Sequence, residues 1–294
     1  MTAAITRYGQ VAERAADAVI RSYSTSFGAA TRLLGPRHRR HVRTIYAMVR
    51  VADELVDGVA AEAGLTPEEQ CAALERFIVE VHEALRTGCS GDLIAHAFAA
   101  TARASGIGEE LTAPFFASMR ADLPAAQPAG MARFDAQQHE RYVYGSAEVV
   151  GLMCLRVFLR EEAPDASRTA SLEHGARQLG AAFQNVNFLR DLADDSQRLG
   201  RSYLGTAQRL GDADRDRWVG IIREQLAEAA AVIPLLPRDA RTAVRSAHHL
   251  FAALTDRIAR TPIEQLYRRR VRVPDPVKLA LIARARLQTA GERS

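Results

Sequence analysis

Apolar residues recur every three to four positions along most of the chain, which is the spacing of a helix face turned towards a core. The pattern predicts helices over residues 3–22, 71–86, 92–105, 108–123, 214–231 and 238–260. Thr66 and Glu69 have the spacing of a capping box, and Pro67 suits the first helical position, so a helix is expected to begin there. The hydrophobic pattern therefore predicts an all-α fold.

One segment, residues 138–158, is apolar most of the way round, which is typical of a helix at the centre of a protein. Several small residues would leave room beside it, namely Gly145, Ser146, Ala147 and Gly151. Glu148 lies among them. The pattern does not decide whether its carboxylate faces this space or a neighbouring helix.

A polar face interrupts the apolar stripe of an earlier segment. At about 100° per residue on a helix, four polar residues fall within roughly 60° of one another: Tyr46, Arg50, Asp53 and Asp57. They lie in line with Val42 and Val49, which the pattern places in the core. The core face of this helix therefore runs into a pair of aspartates.

A second face of this kind occurs about 130 residues later. On a continuous helix, Gln184, Asn187, Asp191 and Asp195 would fall within roughly 80°, and apolar residues on both sides of that arc point it inward. Two carboxylates a turn apart repel each other and are costly to bury without a cation. Oxygen ligands on a rigid helix suit Mg²⁺, which keeps positions for water and substrate phosphates.

Two such helices facing each other across a cavity would form a box of carboxylates, amides and arginines that binds diphosphate through Mg²⁺. A single D-x-x-x-D pattern is more often a solvated helix face. The occurrence of two such pairs, both with apolar neighbours, favours the metal interpretation.

The motifs around both faces resemble those of the squalene/phytoene synthase family. The resemblance rests on Arg50-x-x-Asp53-Glu-Leu-Val-Asp57 and Gln184-x-x-Asn187-x-x-Arg190-Asp191-x-x-x-Asp195. Further similar segments follow the family's order, namely YSTSF at 23–27, SMRAD at 118–122, YGSAEVVG at 144–151 and GRSY at 200–203. The resemblance covers nearly the whole chain. It implies one domain over residues 1–294, an isoprenoid-synthase-type helical bundle around a central cavity.

In this family an allylic prenyl diphosphate ionises and the carbocation couples to a second molecule. The resemblance therefore implies an Mg²⁺-dependent prenyltransferase, with three ions in the substrate complex. Head-to-head condensation of two allylic diphosphates, as in phytoene synthases, is the first expectation. Nicotinamide is not expected, because no G-x-G-x-x-G motif follows a predicted strand. The alternatives are prenyl transfer to an aromatic acceptor such as a carbazole, a class I cyclase, and a non-enzymatic helical assembly protein.

The site residues that the resemblance implies fall into three sets. The expected metal ligands are Asp53, Asp57, Asn187, Asp191 and Asp195. The four aspartates are also expected to be catalytic, together with Tyr46 and Arg50. Substrate binding is expected from Ser24, Ser26, Phe27, Tyr144, Gln184, Asn187, Arg190, Arg201 and Tyr203. For the serines, an ordinary helix cap is the alternative to a phosphate contact.

The segment after Tyr203 resembles the family's flap over the diphosphate but departs from it. Relatives usually have a proline two residues after this tyrosine, whereas this chain has Gly205. Because the flap differs, the sequence constrains the identity of the second substrate less than that of the first. An aromatic acceptor is compatible with this difference.

Composition and charge narrow the class of partner. A hydrophobic content of 48% suffices for a core, and no Pro/Gly/Ser-rich linker divides the chain. The net charge of +4 suits an anionic partner, yet no aromatic-interleaved basic motif indicates nucleic acid. Two basic clusters, residues 37–43 and 268–272, are expected to be solvated faces, with a membrane surface or an anionic substrate as the alternative.

Cysteine usage and the amino-terminal sequence bear on location. Cys71, Cys89 and Cys154 are odd in number and lack metal-type spacing, which indicates a reducing compartment. The sequence shows no signal-peptide pattern, and no apolar run is expected to approach the ~18 residues needed to span a bilayer. The expected location is therefore the cytoplasm, with peripheral membrane contact as an option.

Overall fold

A computed structural model describes residues 3–123, 132–193, 201–205 and 209–292 of the chain, with the main chain alone at residues 25, 26, 132, 133, 201 and 202. The chain divides into two compact units. One consists of Met1–Gln127 and Leu152–Pro164, and the other of Pro128–Gly151 and Asp165–Ser294.

The first unit is built from helices connected in sequence order: α1 Ala3–Tyr23, α2 Thr25–Thr31, α3 Pro36–Asp57, α4 Val59–Glu62, α5 Pro67–Thr87, α6 Leu93–Ser105 and α7 Glu109–Asp122. Helix α3 lies at the centre of this unit and packs against α1, α5, α6 and α7. Its side chains Ile45 and Met48 are fully buried, as are Phe98 of α6 and Phe115 of α7. The unit's core therefore surrounds the helix that carries the first predicted acidic face.

The helix ends in this unit follow the capping signals of the sequence. The hydroxyl of Thr66 accepts a hydrogen bond from the main-chain N–H of Glu69 at 3.2 Å, and the Glu69 carboxylate accepts one from the N–H of Thr66 at 2.8 Å. At the other end of α5, Gly88 adopts φ +79°, a left-handed conformation that favours glycine. The predicted helix start at Thr66 is confirmed.

The second unit contains a short parallel pairing of β1 Ala132–Arg133 with β2 Arg201–Ser202, which the sequence did not predict. Its helices are α8 Ala136–Val143, the first residues of α9 Val149–Leu159, α10 Ala166–Arg190, α11 Asp212–Val232, α12 Arg238–Ala259, α13 Ile263–Leu266 and α14 Asp275–Gly291. Helix α10 packs against α11 and α12, and α14 packs against α12. The predicted all-α fold class is confirmed.

The apolar segment over residues 138–158 is helical, as predicted, but it is not uniform. Helix α8 continues through a π-helical turn at Tyr144–Glu148 into α9. The continuous run Ala136–Leu159 is long and apolar enough to cross a membrane by length and composition, which corrects the expectation that no run comes near that limit. Nearly half of its 18-residue apolar window is buried within the protein, and the core helix of a soluble protein can pass the same test of length and composition.

The π-helical turn and the start of α9 lie very close to α10. A Cβ on Gly180 of α10 would come within 2.6 Å of the carbonyl oxygen of Ala147, and one on Gly151 would come within 2.5 Å of that of Ala176. Both glycines therefore permit main-chain contact between the two helical segments. Glu148 accepts a hydrogen bond from Nε of Arg177 at 2.6 Å, so its carboxylate faces the neighbouring helix.

Candidate functional site

Helix α3 carries the first predicted acidic face at its carboxyl-terminal end. Asp57 is the last residue of the helix, and Asp53 lies one turn before it. Arg50 donates from Nη1 to Oδ2 of Asp53 at 2.5 Å and from Nη2 to Glu54. The guanidinium carbon also lies 4.6 Å from the centroid of the Tyr23 ring. One arginine therefore holds two neighbouring carboxylates.

Glu54 belongs to this cluster, although the sequence pattern did not single it out. Its side chain is 16% exposed, against 40% for Asp53, so it is the more buried partner of Arg50. Its second oxygen accepts a hydrogen bond from the main-chain N–H of Val59 at 3.2 Å. A Cβ on Gly58 would come within 2.3 Å of that oxygen, so the glycine leaves the space that the carboxylate occupies.

The carboxylates of this cluster keep Arg50 in its charged form. Burial alone would lower the pKa of Arg50, but the adjacent carboxylates of Asp53 and Glu54 outweigh it and raise the pKa above its ordinary value. Arg50 therefore stays cationic and neutralises one of these two carboxylates. Asp57 lies one turn beyond Asp53, at the end of α3.

Tyr46 and Phe27 form an aromatic wall beside the same helix. Their ring centroids lie 6.2 Å apart and the planes differ by 27°. Burial is the largest cause that raises the pKa of Tyr46, so its hydroxyl stays protonated and able to donate a hydrogen bond. The hydroxyl of Ser24 caps α2 by accepting from the N–H of Phe27 at 3.0 Å, which is the helix-cap alternative of the sequence. The side chain of Ser26 lies outside the described residues.

The second predicted acidic face lies at the end of α10, and here one part of the prediction is wrong. The helix ends at Arg190, and Asp191 adopts φ −102° and ψ 13°, which is not helical. Its N–H still bonds to the carbonyl of Asn187 at 2.9 Å. The backbone is helical again at residues 192 and 193. Asp191 is therefore displaced from the regular helical arc, and Asp195 lies beyond the part of the chain that the structure describes.

Two arginines hold the carboxylate of Asp191. Arg190 donates to it from Nε at 2.9 Å and from Nη2 at 2.5 Å. Arg270 approaches from 79 residues away, with Nε 2.7 Å from Oδ1 and Nη2 3.2 Å from Oδ2. The side chain of Asp191 is 20% exposed, so both fork-like contacts are partly shielded from water. Arg270 is a member of the basic cluster 268–272 that the sequence treated as a solvated face.

Asn187 carries a side-chain oxygen without a hydrogen-bond partner among the described residues. Its side-chain Oδ1 is buried, and no donor reaches it from any described residue. A buried amide oxygen in this state loses the hydrogen bond that water would have supplied. One helical turn before Asp191, this atom suits a cation as its partner. Gln184, one turn earlier, is half-buried on the same helix.

The donor types on each of the two helices fit Mg²⁺. Carboxylate and amide oxygens are what this metal prefers in proteins, and Asp53, Asp57, Asn187 and Asp191 supply them. Among the residues that the structure describes, no three His, Cys, Asp or Glu side chains form a group that would hold a metal alone. The carboxylates of Asp53 and Asp191 form ion pairs with arginines, so a bound cation would compete with guanidinium groups for them.

Tyr144 and Tyr203 lie in different surroundings within the second unit. Tyr144 begins the π-helical turn, with the guanidinium carbon of Arg177 5.4 Å from its ring centroid. Tyr203 is buried and stacks on Phe188, with 4.4 Å between ring centroids and 13° between planes. Its carbonyl lies 2.8 Å from Nδ1 of His139, which must therefore carry the proton.

The backbone after Tyr203 departs from an ordinary extended or helical path. Gly205 adopts φ +133°, a conformation that L side chains rarely take and that the proline ring forbids. Arg201 contributes its main chain to β2, and its side chain lies outside the description. The buried ring of Tyr203 therefore anchors this segment. Contacts of Arg201 and Tyr203 with substrate stay predictions.

The other basic cluster, residues 37–43, is largely satisfied inside the first unit. Arg37 pairs with Glu161 at 2.9 Å, and Arg43 pairs with Asp17 at 2.5 Å. Arg39 donates to the carbonyl of Leu34 at 2.8 Å. These contacts give the cluster a structural role.

Comparison with known proteins places these features in a family. The model described as squalene/phytoene synthase matches residues 20–208. Phytoene synthase 3 of Zea mays is 30% identical over 288 residues, which cover 92% of this chain and 64% of that protein. The phytoene synthase of Rhodobacter capsulatus is 29% identical over 281 residues, which cover 85% of this chain and 74% of that protein. The chain spans about half to two thirds of the length of the plant relatives.

Solved structures show the same fold at lower sequence identity. A dehydrosqualene synthase crystallised with a ligand is similar with a TM-score of 0.74 and 21% identity, covering 98% of this chain and 99% of that one. A squalene synthase from Alicyclobacillus acidocaldarius is similar with a TM-score of 0.70 and 18% identity, covering 91% and 97%.

Proposed function

Because the chain belongs to the squalene/phytoene synthase family, we propose that it is a prenyltransferase that ionises an allylic prenyl diphosphate and condenses the carbocation head-to-head with a second allylic diphosphate. Phytoene synthases among its relatives support this class of reaction. The paired acidic clusters of α3 and α10, each with an arginine in contact, supply side chains of the kind that such a reaction needs.

The cofactor in this proposal is Mg²⁺, with Asp53, Asp57, Asn187, Asp191 and Asp195 as ligands. When bound, it neutralises the diphosphate that leaves as the allylic C–O bond breaks. The observation that supports Mg²⁺ binding is the buried Oδ1 of Asn187. This oxygen has no hydrogen-bond donor among the described residues and lies one turn from Asp191. That atom gains a partner when a cation arrives.

The arginines exchange partners in this reaction. Arg50 forms an ion pair with Asp53, and Arg190 and Arg270 form ion pairs with Asp191. A guanidinium fork that matches a carboxylate also matches a phosphate, so these arginines would bind phosphate oxygens of the substrate. Their charge then stabilises the diphosphate as it accumulates negative charge.

Tyr46 and Phe27 protect the reacting carbon from water. The hydroxyl of Tyr46 stays protonated, because burial raises its pKa, and its O–H can therefore donate to a phosphate oxygen. The ring of Phe27 lies beside that of Tyr46, with 6.2 Å between the centroids, and adds apolar surface on that side of the helix. Exclusion of water matters because a carbocation would otherwise end as a prenyl alcohol.

The direct test is incubation of purified protein with Mg²⁺ and farnesyl or geranylgeranyl diphosphate as the sole organic substrate. We expect a condensed hydrocarbon or a cyclopropyl diphosphate, together with released diphosphate. Asp53→Ala and Asp191→Ala are each expected to abolish diphosphate release while the helical circular dichroism signal stays intact. Asp256→Ala, which removes an exposed ion-paired aspartate of α12, is the matched control and should keep full activity.

Three results would contradict the proposal. Absence of condensed product with every prenyl chain length would exclude head-to-head condensation. A thermal shift by Mg²⁺ plus diphosphate provides a second reading, since an enzyme of this kind is stabilised by its ligands and a structural protein is not. Loss of activity accompanied by unfolding of both aspartate variants would indicate a structural role for these residues.

A second candidate is transfer of one prenyl group to an aromatic acceptor. The observation in its favour is Gly205, whose φ of +133° is closed to the proline that relatives usually have there. In this case a single prenyl diphosphate should give only slow hydrolysis, and addition of an electron-rich bicyclic or tricyclic aromatic should give a C-prenylated product. Condensed product at an ordinary enzymatic rate would exclude this candidate.

A further inference from the structure

Helix α14 is attached to the second unit by one face. Ala285 and Thr289 are buried on that face. Arg245 of α12, itself 7% exposed, donates to the hydroxyl of Thr289 at 2.6 Å and pairs with Glu292. These contacts fix the rotation of α14 about its axis and therefore decide which side chains point outward.

The opposite face carries the most exposed large apolar side chains of the described chain. Leu287 is 74% exposed and Leu279 is 68% exposed, whereas the next, Val79 of α5, is 55% exposed. At about 100° per residue, Leu279 and Leu287 lie about 80° apart. The exposed residues Ala280 and Ala283 lie close to the same arc. The outward face of α14 is thus a continuous apolar stripe.

The charges around this stripe are positive. Arg286 lies on one border of the stripe and Arg284 on the other, and both are exposed. Asp275 is the single acidic residue of the helix, and it pairs with Lys278 at 2.9 Å. Three further exposed arginines precede the helix, at positions 268, 269 and 272.

We propose that this face of α14 docks on an anionic membrane surface. An apolar stripe with arginines along both borders is the arrangement of a helix that lies in a bilayer interface, because the apolar side chains enter the acyl boundary while the guanidinium groups reach the phosphates. Basic residues close to such a helix strengthen its attraction to anionic lipid headgroups. Binding to vesicles can be measured without prenyl substrate, so membrane docking is tested independently of the proposed reaction.

A second copy of the chain fits this face less well. Pairing two such stripes would bring the bordering arginines of one copy against those of the other, without acidic partners on the helix face. The helix has 17 residues and is therefore only about 25 Å long. One face of that length falls short of the roughly 800 Å² per partner of a stable interface.

The test measures sedimentation of the full chain with two kinds of vesicle, one of phosphatidylcholine alone and one of equal parts phosphatidylcholine and phosphatidylglycerol. We expect binding to the anionic vesicles, weakened by added salt. The double variant Leu279→Ser, Leu287→Ser should lower binding at least about tenfold. The double variant Arg284→Gln, Arg286→Gln should reduce both the binding and its salt dependence. Val79→Ser is the matched control for an exposed apolar residue elsewhere and should bind like the parent.

Each opposite result overturns the proposal. No binding of the parent to anionic vesicles refutes it, as does unchanged binding of the leucine double variant with its helical signal intact. An equal loss with Val79→Ser would show that α14 has no special part. Analytical ultracentrifugation gives the remaining outcome, since a dimer that the leucine variant dissociates would assign the face to a second copy.

Discussion

The contact between α10 and the π-helical turn leads to a prediction about Gly180. A Cβ at this position would lie 2.6 Å from the oxygen and 2.9 Å from the carbon of the Ala147 carbonyl, and 3.0 Å from Cα of Glu148. All three are main-chain atoms, and ordinary contact between carbon atoms needs about 3.5 Å or more. Gly180→Ala therefore forces the two helical segments apart, because no side chain is available to move aside.

The magnitude follows from two opposing contributions. Overpacking of a filled interior costs about 1–3 kcal/mol, and replacing glycine by alanine inside a helix returns up to about 1 kcal/mol. We expect Gly180→Ala to lower the free energy of unfolding by about 1–2 kcal/mol. Gly220→Ala is the matched control, since Gly220 lies exposed within α11 and a Cβ there would meet nothing within 4 Å. That variant should be more stable than the parent by about 0.5–1 kcal/mol.

Urea unfolding followed by far-ultraviolet circular dichroism measures both effects. The midpoint should fall for Gly180→Ala and rise for Gly220→Ala, with similar slopes. Gly151→Ala meets the same helix from the other side, 2.5 Å from the carbonyl oxygen of Ala176. Because both substitutions strain one interface, the double variant should lose less stability than the sum of the singles. If Gly180→Ala were as stable as Gly220→Ala, the close main-chain contact would be refuted.

Three further predictions concern buried polar groups. Burial is the largest cause that lowers the pKa of His41, from 6.5 to about 4, so between these pH values the unfolded chain binds a proton at His41 and the folded protein does not. The free energy of unfolding should therefore be level above pH 6.5 and fall by up to about 3 kcal/mol towards pH 4. Urea unfolding should find this fall reduced in His41→Gln. Arg245→Met should speed amide hydrogen exchange in the last turns of α14, because it removes the pairing with Glu292; unchanged exchange would refute this role. Trp218 is the only tryptophan of the sequence, and its ring centroid lies 4.7 Å from that of His139, whose pKa is lowered by burial. Acid quenching of the tryptophan fluorescence by His139 should therefore have a midpoint below pH 6.5, and it should vanish in His139→Phe.

Much of the fold and the family could be predicted from local pattern. The three- to four-residue spacing of apolar side chains gives helices because each helix buries one face, and this depends on neighbours in sequence. The capping box at Thr66 and Glu69 is equally local. The resemblance to the squalene/phytoene synthase family, which rested on paired motifs in order, is confirmed. The ligand and substrate roles of the site residues stay predictions.

The parts that the sequence missed depend on contacts between distant residues or on small departures from a regular helix. Arg270 reaches Asp191 across 79 residues, and no local pattern separates it from its exposed basic neighbours. Asp191 leaves the helix without a glycine or proline to mark the end, so regular spacing placed it wrongly on the helical arc. The π-helical turn at Tyr144–Glu148 lies against Gly180, more than 30 residues away in sequence, and local spacing did not predict it.

The distribution of basic residue types gives the protein a chemical handle. The sequence contains a single lysine, Lys278, and it lies in the first turn of α14 with its side chain 26% exposed. Besides the α-amino group, an acylating reagent that modifies amines therefore meets one side chain in the whole chain, while every guanidinium keeps its charge. The rate of that single modification reports on the environment of α14 alone, so a change upon addition of vesicles, substrate or a partner would be assigned to this helix without any engineered label.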